Sequence, residues 1–115
     1  MKFKDKHFLN IALKSDNYQK KMNAISKIED QDALYTIALS QQDVDVITAA
    51  VSKITDQCQL EEISRRAKTV RGGLAISTAA IMQMTDIDEL KKIETHGTFE
   101  QDRSAARRRL AQLTK

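Results

Sequence analysis

The sequence predicts an all-α fold: an α-solenoid of four antiparallel two-helix repeats, about eight helices in all. Three observations predict it. The 115-residue chain has no proline and three glycines, residues that sheet-rich folds need at turns and that helix interiors reject. Its apolar residues recur at spacings of three and four, which gathers them on one face of a helix. A segment also recurs. Ala24-Ile-Ser-Lys-Ile-Glu-Asp-Gln31 matches Ala50-Val-Ser-Lys-Ile-Thr-Asp-Gln57 at six of eight positions, at an offset of 26 residues.

The first repeat, residues 4–29, reads as helices over 4–14 and 17–28, with Phe8, Ile11 and Ala12 on the inner face of the first and Asp16 or Asn17 starting the second. In the second repeat, residues 30–55, Asp30 precedes Leu34, Ile37 and Ala38 (helix 31–41), and Asp43 precedes Val46, Ile47, Ala50, Val51 and Ile54 (helix 44–54). The third, residues 56–85, starts at Asp56, carries Leu60 and Ile63 on helix 57–68, and resumes with Ala80-Ile81 on helix 73–84. Four extra residues fall near Lys68-Thr-Val-Arg-Gly-Gly73, where Gly72-Gly73 relieves the insertion. The fourth, residues 86–113, starts at Asp86, with Glu89 at capping-box spacing, and places Leu90 and Ile93 on helix 87–95 and Ala106 and Leu110 on helix 99–113. The aspartates have a mechanical role: a carboxylate at an N-cap accepts a bond from an orphan backbone N–H and suits the positive helix end. One such hairpin cannot bury its apolar faces, whereas stacked neighbours can. The column Ala24, Ala50, Ala80, Ala106 provides the small side chains that let adjacent repeats approach. Arg107 stands where the other copies have Ile25, Val51 and Ile81, which requires that face to be open.

The segment Asp43-Val-Asp-Val-Ile-Thr-Ala-Ala-Val-Ser-Lys-Ile-Thr-Asp-Gln57 resembles the second helix of a HEAT-type repeat. Asp43, Val46, Ala50-Val51 and Ile54 match that pattern, and the resemblance covers about residues 6–113 of the chain. The unit is short for the family, and the arginine often found after the valine is replaced by Ile47. The resemblance implies a single domain over 1–115, a HEAT-like superhelix, and a scaffold that binds proteins or sometimes nucleic acid. It implies no reaction.

No apolar run approaches the ~20 residues of a membrane span, no apolar stretch backs the charges of the first residues, and Cys58 is the only cysteine. The expectation is therefore a cytoplasmic protein without a membrane role. The net charge of +3 is local: residues 1–98 hold 14 basic and 14 acidic side chains, whereas residues 99–115 hold five and two. Catalysis needs a nucleophile with a base, a metal cluster or paired acids in distinct environments, and none is apparent. His7 and His96 read as solvent-facing and Cys58 as a bystander thiol. The pairs Asp30/Asp32, Asp43/Asp45 and Asp86/Asp88 lack the further oxygen ligands and glycine of a calcium loop. No cofactor, metal or small-molecule substrate is expected, and the chain reads as a non-enzyme.

The candidate binding surface is basic. One cluster is Arg65, Arg66, Lys68 and Arg71, at the end of the fifth helix and beyond. The other is Arg103, Arg107, Arg108 and Arg109 on the last helix, which would also serve as a solvated end cap. Lys27, Lys53, Gln83 and Arg109 are repeat-equivalent. On a concave face lined by second helices, Lys27, Lys53 and Arg109 would form a basic stripe with cations about 10 Å apart. Such a surface suits an acidic protein partner. A phosphate backbone is the alternative partner, but aromatic residues make up only 4% of the chain, which leaves little for base stacking.

Overall fold

The computed structural model describes residues 2–40, 43–67 and 72–114. Among these residues every regular element is an α-helix; there are eight helices and no strand. None is long and apolar enough to cross a membrane. The chain divides into two units, residues 1–54 and 55–115, each holding two helix pairs.

The first unit contains α1 (Phe3–Lys14), α2 (Tyr18–Lys27), α3 (Gln31–Ala38) and α4 (Val44–Val51). Helix α1 pairs with α2 and α3 with α4; the pairs then meet through α1 on α3 and α2 on α4. Ala12, Ala24, Ile25, Ile28, Leu34, Ile37, Val46, Ala50, Val51 and Ile54 are all buried; Phe8 and Ile11, expected beside Ala12 on the inner face of α1, are only half-buried. The second unit contains α5 (Gln57–Ala67), α6 (Gly73–Gln83), α7 (Ile87–His96) and α8 (Glu100–Leu113). Here α5 pairs with α6 and α7 with α8, and α6 packs on α8. Leu60, Ile63, Ile76, Ala80, Ile81, Met84, Leu90 and Ala106 fill its core. Ala24 and Ala50 in the first unit and Ala80 and Ala106 in the second are buried, on helices that pack together, α2 on α4 and α6 on α8.

Four of the five expected helix caps form. Asn17 accepts from the Lys20 N–H (2.9 Å), Asp30 from Ala33 (2.9 Å), Asp56 from Gln59 (3.0 Å) and Asp86 from Glu89 (3.1 Å). Asp43 departs from the expectation: it occupies the N-cap of α4 without a side-chain bond. The N–H it would receive, that of Val46, is already turned onto the Asp43 carbonyl at 3.0 Å. The capping box at Asp86 is also absent as such. The Asp86 N–H, which Glu89 would accept, goes instead to Gln57 Oε1 at 3.0 Å, as does the Thr85 N–H. Gln31, the counterpart of Gln57 in the first unit, donates through Nε2 to the Lys53 carbonyl at 3.1 Å. In both pairs a glutamine at the start of the first helix ties down the turn that ends the second.

Helices α3 and α4 stop three residues before the expected ends. The chain tightens there into three-residue hydrogen bonds, Ser40 N–H to Ile37 and Ile54 N–H to Val51, the usual closure for a helix with orphan carbonyls. Gly72 precedes α6 with φ 74°, a left-handed conformation that glycine adopts without steric cost.

Candidate functional site

The repeat-equivalent cations Lys53 and Arg109 have structural partners. Lys53 Nζ donates to the carbonyls of Ile25 (2.9 Å), Ser26 (2.9 Å) and Ile28 (2.6 Å) at the end of α2. Arg109 Nε donates to the Met84 carbonyl (2.8 Å) at the end of α6, and its guanidinium also reaches Gln112 Oε1 at 3.1 Å. Ile28 and Met84 are themselves equivalent positions. The same bond is therefore built once in each unit: a cation on or just past the last helix donates to carbonyls at the end, the negative dipole end, of the helix two before it. Both side chains are half-buried. This is the physical reason two of the three residues expected to form a basic stripe do not stand free.

Lys27, the third, is exposed, and its ammonium lies 5.4 Å from the centroid of the Phe8 ring. A cation–π contact at such a site contributes about 0.5–1 kcal/mol. Phe8, Ile11, Ser15, Lys20, Asn23, Ala24 and Lys27 line an open groove of about 460 Å³ between α1 and α2.

The remaining arginines are unevenly committed. Arg103 turns back on the end of α7, donating to the Gly97 carbonyl at 2.6 Å and pairing with Glu100 at 2.8 Å. The fit is close: a Cβ on Gly97 would lie 2.6 Å from the Ile93 carbonyl oxygen and 3.2 Å from Arg103 Cγ. Arg107 reaches Glu94 at 3.6 Å with its side chain 60% exposed, so the position that is buried as Ile25, Val51 and Ile81 in the other copies is open here. Arg108 is exposed. Arg65 and Arg66 are exposed in the last turn of α5 and share Glu62, at 2.6 and 2.7 Å. Their hydrogen bonds, that of Arg66 first, hold the Glu62 carboxyl below its ordinary range. Lys68 and Arg71 lie outside the described residues.

His7, His96 and Cys58 are exposed. Among the described residues no three His, Cys, Asp or Glu side chains come together to hold a metal ion.

One constellation was not anticipated from the sequence. Ser64 on α5, Ser77 on α6 and Asp102 on α8 are all buried and hydrogen-bonded in series. Ser77 Oγ donates to Asp102 Oδ1 at 2.9 Å. Its only proton is thereby committed, so Ser64 Oγ, 3.0 Å away, donates to Ser77. Asp102 lies in the first turn of α8, where the helix dipole favours a carboxylate. The signal was present in the aligned repeats: Ser64 and Ser77 replace Ala38 and Ile47, and Asp102 falls where Val46 and Ile76 stand. With solvent excluded, the series is placed to join three helices rather than to meet a substrate.

No protein-family model, curated protein or solved structure matches this chain.

Proposed function

We propose that the chain is a non-catalytic protein-interaction module of the HEAT-like α-solenoid kind, acting in the cytoplasm on a partner with an acidic surface. The observation that carries this reading is the exposure of Arg65, Arg66, Arg107 and Arg108 in the second unit. Arg65 and Arg66 meet Glu62 and Arg107 meets Glu94 at the surface, with the guanidinium groups still largely open to solvent. The repeat frame supports it from the other side: Lys53 and Arg109 account for folding, which leaves the arginines outside that frame for recognition. Exposed arginine is suited to bidentate pairing with carboxylates.

The test is a pair of binding isotherms, one with a fluorescent Glu-rich helical peptide and one with a random DNA duplex, each at about 50 and 200 mM salt. Saturable binding of the peptide at the higher salt is expected, and Arg107→Glu/Arg108→Glu should abolish it. DNA binding tighter than peptide binding, with the steep salt dependence of counterion release, would replace this reading with nucleic-acid binding.

A further inference from the structure

The groove between α1 and α2 has a counterpart within the same unit. Phe8, Ile11 and Ala24 correspond to Leu34, Ile37 and Ala50, which are fully buried. That burial includes the contacts of α1 with α3 and α2 with α4. Lys27 corresponds to Lys53, which grips three carbonyls at the end of α2. On α1 and α2 Ala24 is buried too, but Phe8 and Ile11 are only half-buried and face an open groove. The apolar floor is present, and Lys27 rests on Phe8 rather than on a helix end. Lys20 and Asn23 stand at the rim where Val46 and Ala49 occur in the second repeat.

We propose that this groove docks the C-terminal end of an α-helix from a different protein, with Lys27 leaving the Phe8 ring to donate to the last carbonyls of that helix. Two observations define the occupant. Lys53 on Ile28 and Arg109 on Met84 show what a cation at this position takes in this fold: carbonyls at a helix end. The cations Lys20 and Lys27 favour the negative dipole end and an acidic last turn. The last helix of a second copy of this chain does not offer the matching end. Its α8 runs on to Leu113, four residues past Arg109, whereas α2 ends at Lys27 and α6 at Gln83. The α8 carbonyls equivalent to those of Ile25, Ser26 and Ile28 therefore lie inside the helix ladder, with Leu110 accepting from the Thr114 N–H. Arg107 and Arg108 would also bring like charge to the groove.

This proposal rests on the protein-interaction reading but uses a different surface, so the two can fail separately. The probe is a stapled helical peptide copying residues 18–30, the segment Lys53 grips, with its three lysines replaced by glutamine. Titrated into the full-length, isotopically labelled protein, it should shift the NMR signals of Phe8, Ile11, Asn23, Ala24 and Lys27. Lys27→Met should weaken binding about tenfold. The same peptide lengthened by four helical residues, which returns its last carbonyls to the ladder, should lose about as much. Arg107→Glu/Arg108→Glu should leave this titration unchanged. Binding indifferent to Lys27→Met or to the added turn, or no shift at millimolar peptide, overturns the proposal. Groove shifts that grow with protein concentration in the absence of peptide would identify a second copy as the occupant and also overturn it.

Discussion

In the first unit, the interior positions Ala38, Val46 and Ile47 are apolar and buried; in the second, the corresponding places hold Ser64, Asp102 and Ser77, equally buried and hydrogen-bonded in series. The helix-end bond, by contrast, is the same in both: Lys53 onto Ile28 and Arg109 onto Met84. One element of the repeat is thus independent of what fills the core. Closing a helix end needs a long cation at a fixed position and little else. The interior can be filled either by shape or by a hydrogen-bonded polar series. The first unit does contain a buried carboxyl, Asp5, but it is a local device: its Oδ1 accepts from the Glu29 N–H at 3.2 Å, joining the start of α1 to the turn after α2.

Three core variants should break this comparison most sharply. Asp102→Ala removes the acceptor that ends the series and leaves one hydroxyl of the Ser64–Ser77 pair without it, so a loss of about 3 kcal/mol is expected in urea unfolding. The triple change Ser64→Ala, Ser77→Val, Asp102→Leu converts the second interior to the chemistry of the first. It should recover most of that loss, because replacing a whole buried polar set by apolar groups of similar volume is often neutral or stabilising. A triple variant as unstable as Asp102→Ala would show that the second unit depends on its polar series, not merely on filled volume. The reverse test is Ile47→Ser, which places a hydroxyl in the first interior without a companion; it should cost about 3 kcal/mol.

Lys53→Met and Arg109→Met sharpen the part that the units share. Each keeps the side-chain stem and removes the donor, exposing helix-end carbonyls that water satisfies only in part. A loss of about 1–2 kcal/mol is expected for each, read by chemical denaturation. If the bond is one repeated device, the two losses should be similar. A loss confined to Lys53→Met would trace the effect to the three carbonyls it holds, against the single one held by Arg109.

The helices and most of their caps were legible in the sequence because they are local: Asp30, Asp56 and Asp86 sit next to the N–H groups they accept from. Asp43 shows where local reasoning stops, since a shift of one backbone N–H onto a carbonyl displaced the carboxylate. The roles of Lys53 and Arg109 were legible as equivalence but not as function. Aligned repeats show that the two cations correspond; only the packed structure shows that a neighbouring helix ends within reach of each. The Ser64–Ser77–Asp102 series was the least legible. It draws one residue from each of three helices, and Asp102 in particular read as part of the charge balance of an arginine-rich helix. The α1–α2 groove was missed for a related reason: periodicity marks Phe8 and Ile11 as inward-facing and cannot say whether anything covers them.

The smallest effects lie on α5, outside the polar series, and they separate surface from interior contributions in the second unit. Partial burial raises the Glu61 carboxyl above its ordinary pKa, and the negative charges of Glu89 and Asp86 add to this; Arg65 and Lys92 oppose it. A raised folded-state value contributes stability fully below the unfolded value of about 4.3, and that contribution is lost as pH rises through the folded value. Neutral solution is therefore where Glu61 weakens the fold. Glu61→Gln should stabilise slightly at pH 7, since solvent screens most of the interaction, with the advantage vanishing in acid. Glu62, one residue on, has the opposite sign. Bonds from Arg66 and Arg65 lower its value, so its contribution is present above the unfolded value and lost as pH falls through the folded one. Glu62→Gln should accordingly be the less stable protein at neutral pH and converge with the parent in acid. Thermal melts of the two variants across pH 3–8 should diverge from the parent in opposite directions. Melts that move together would mean the charge around α5 acts as a whole, rather than through the burial of one carboxyl and the arginine pairing of the other.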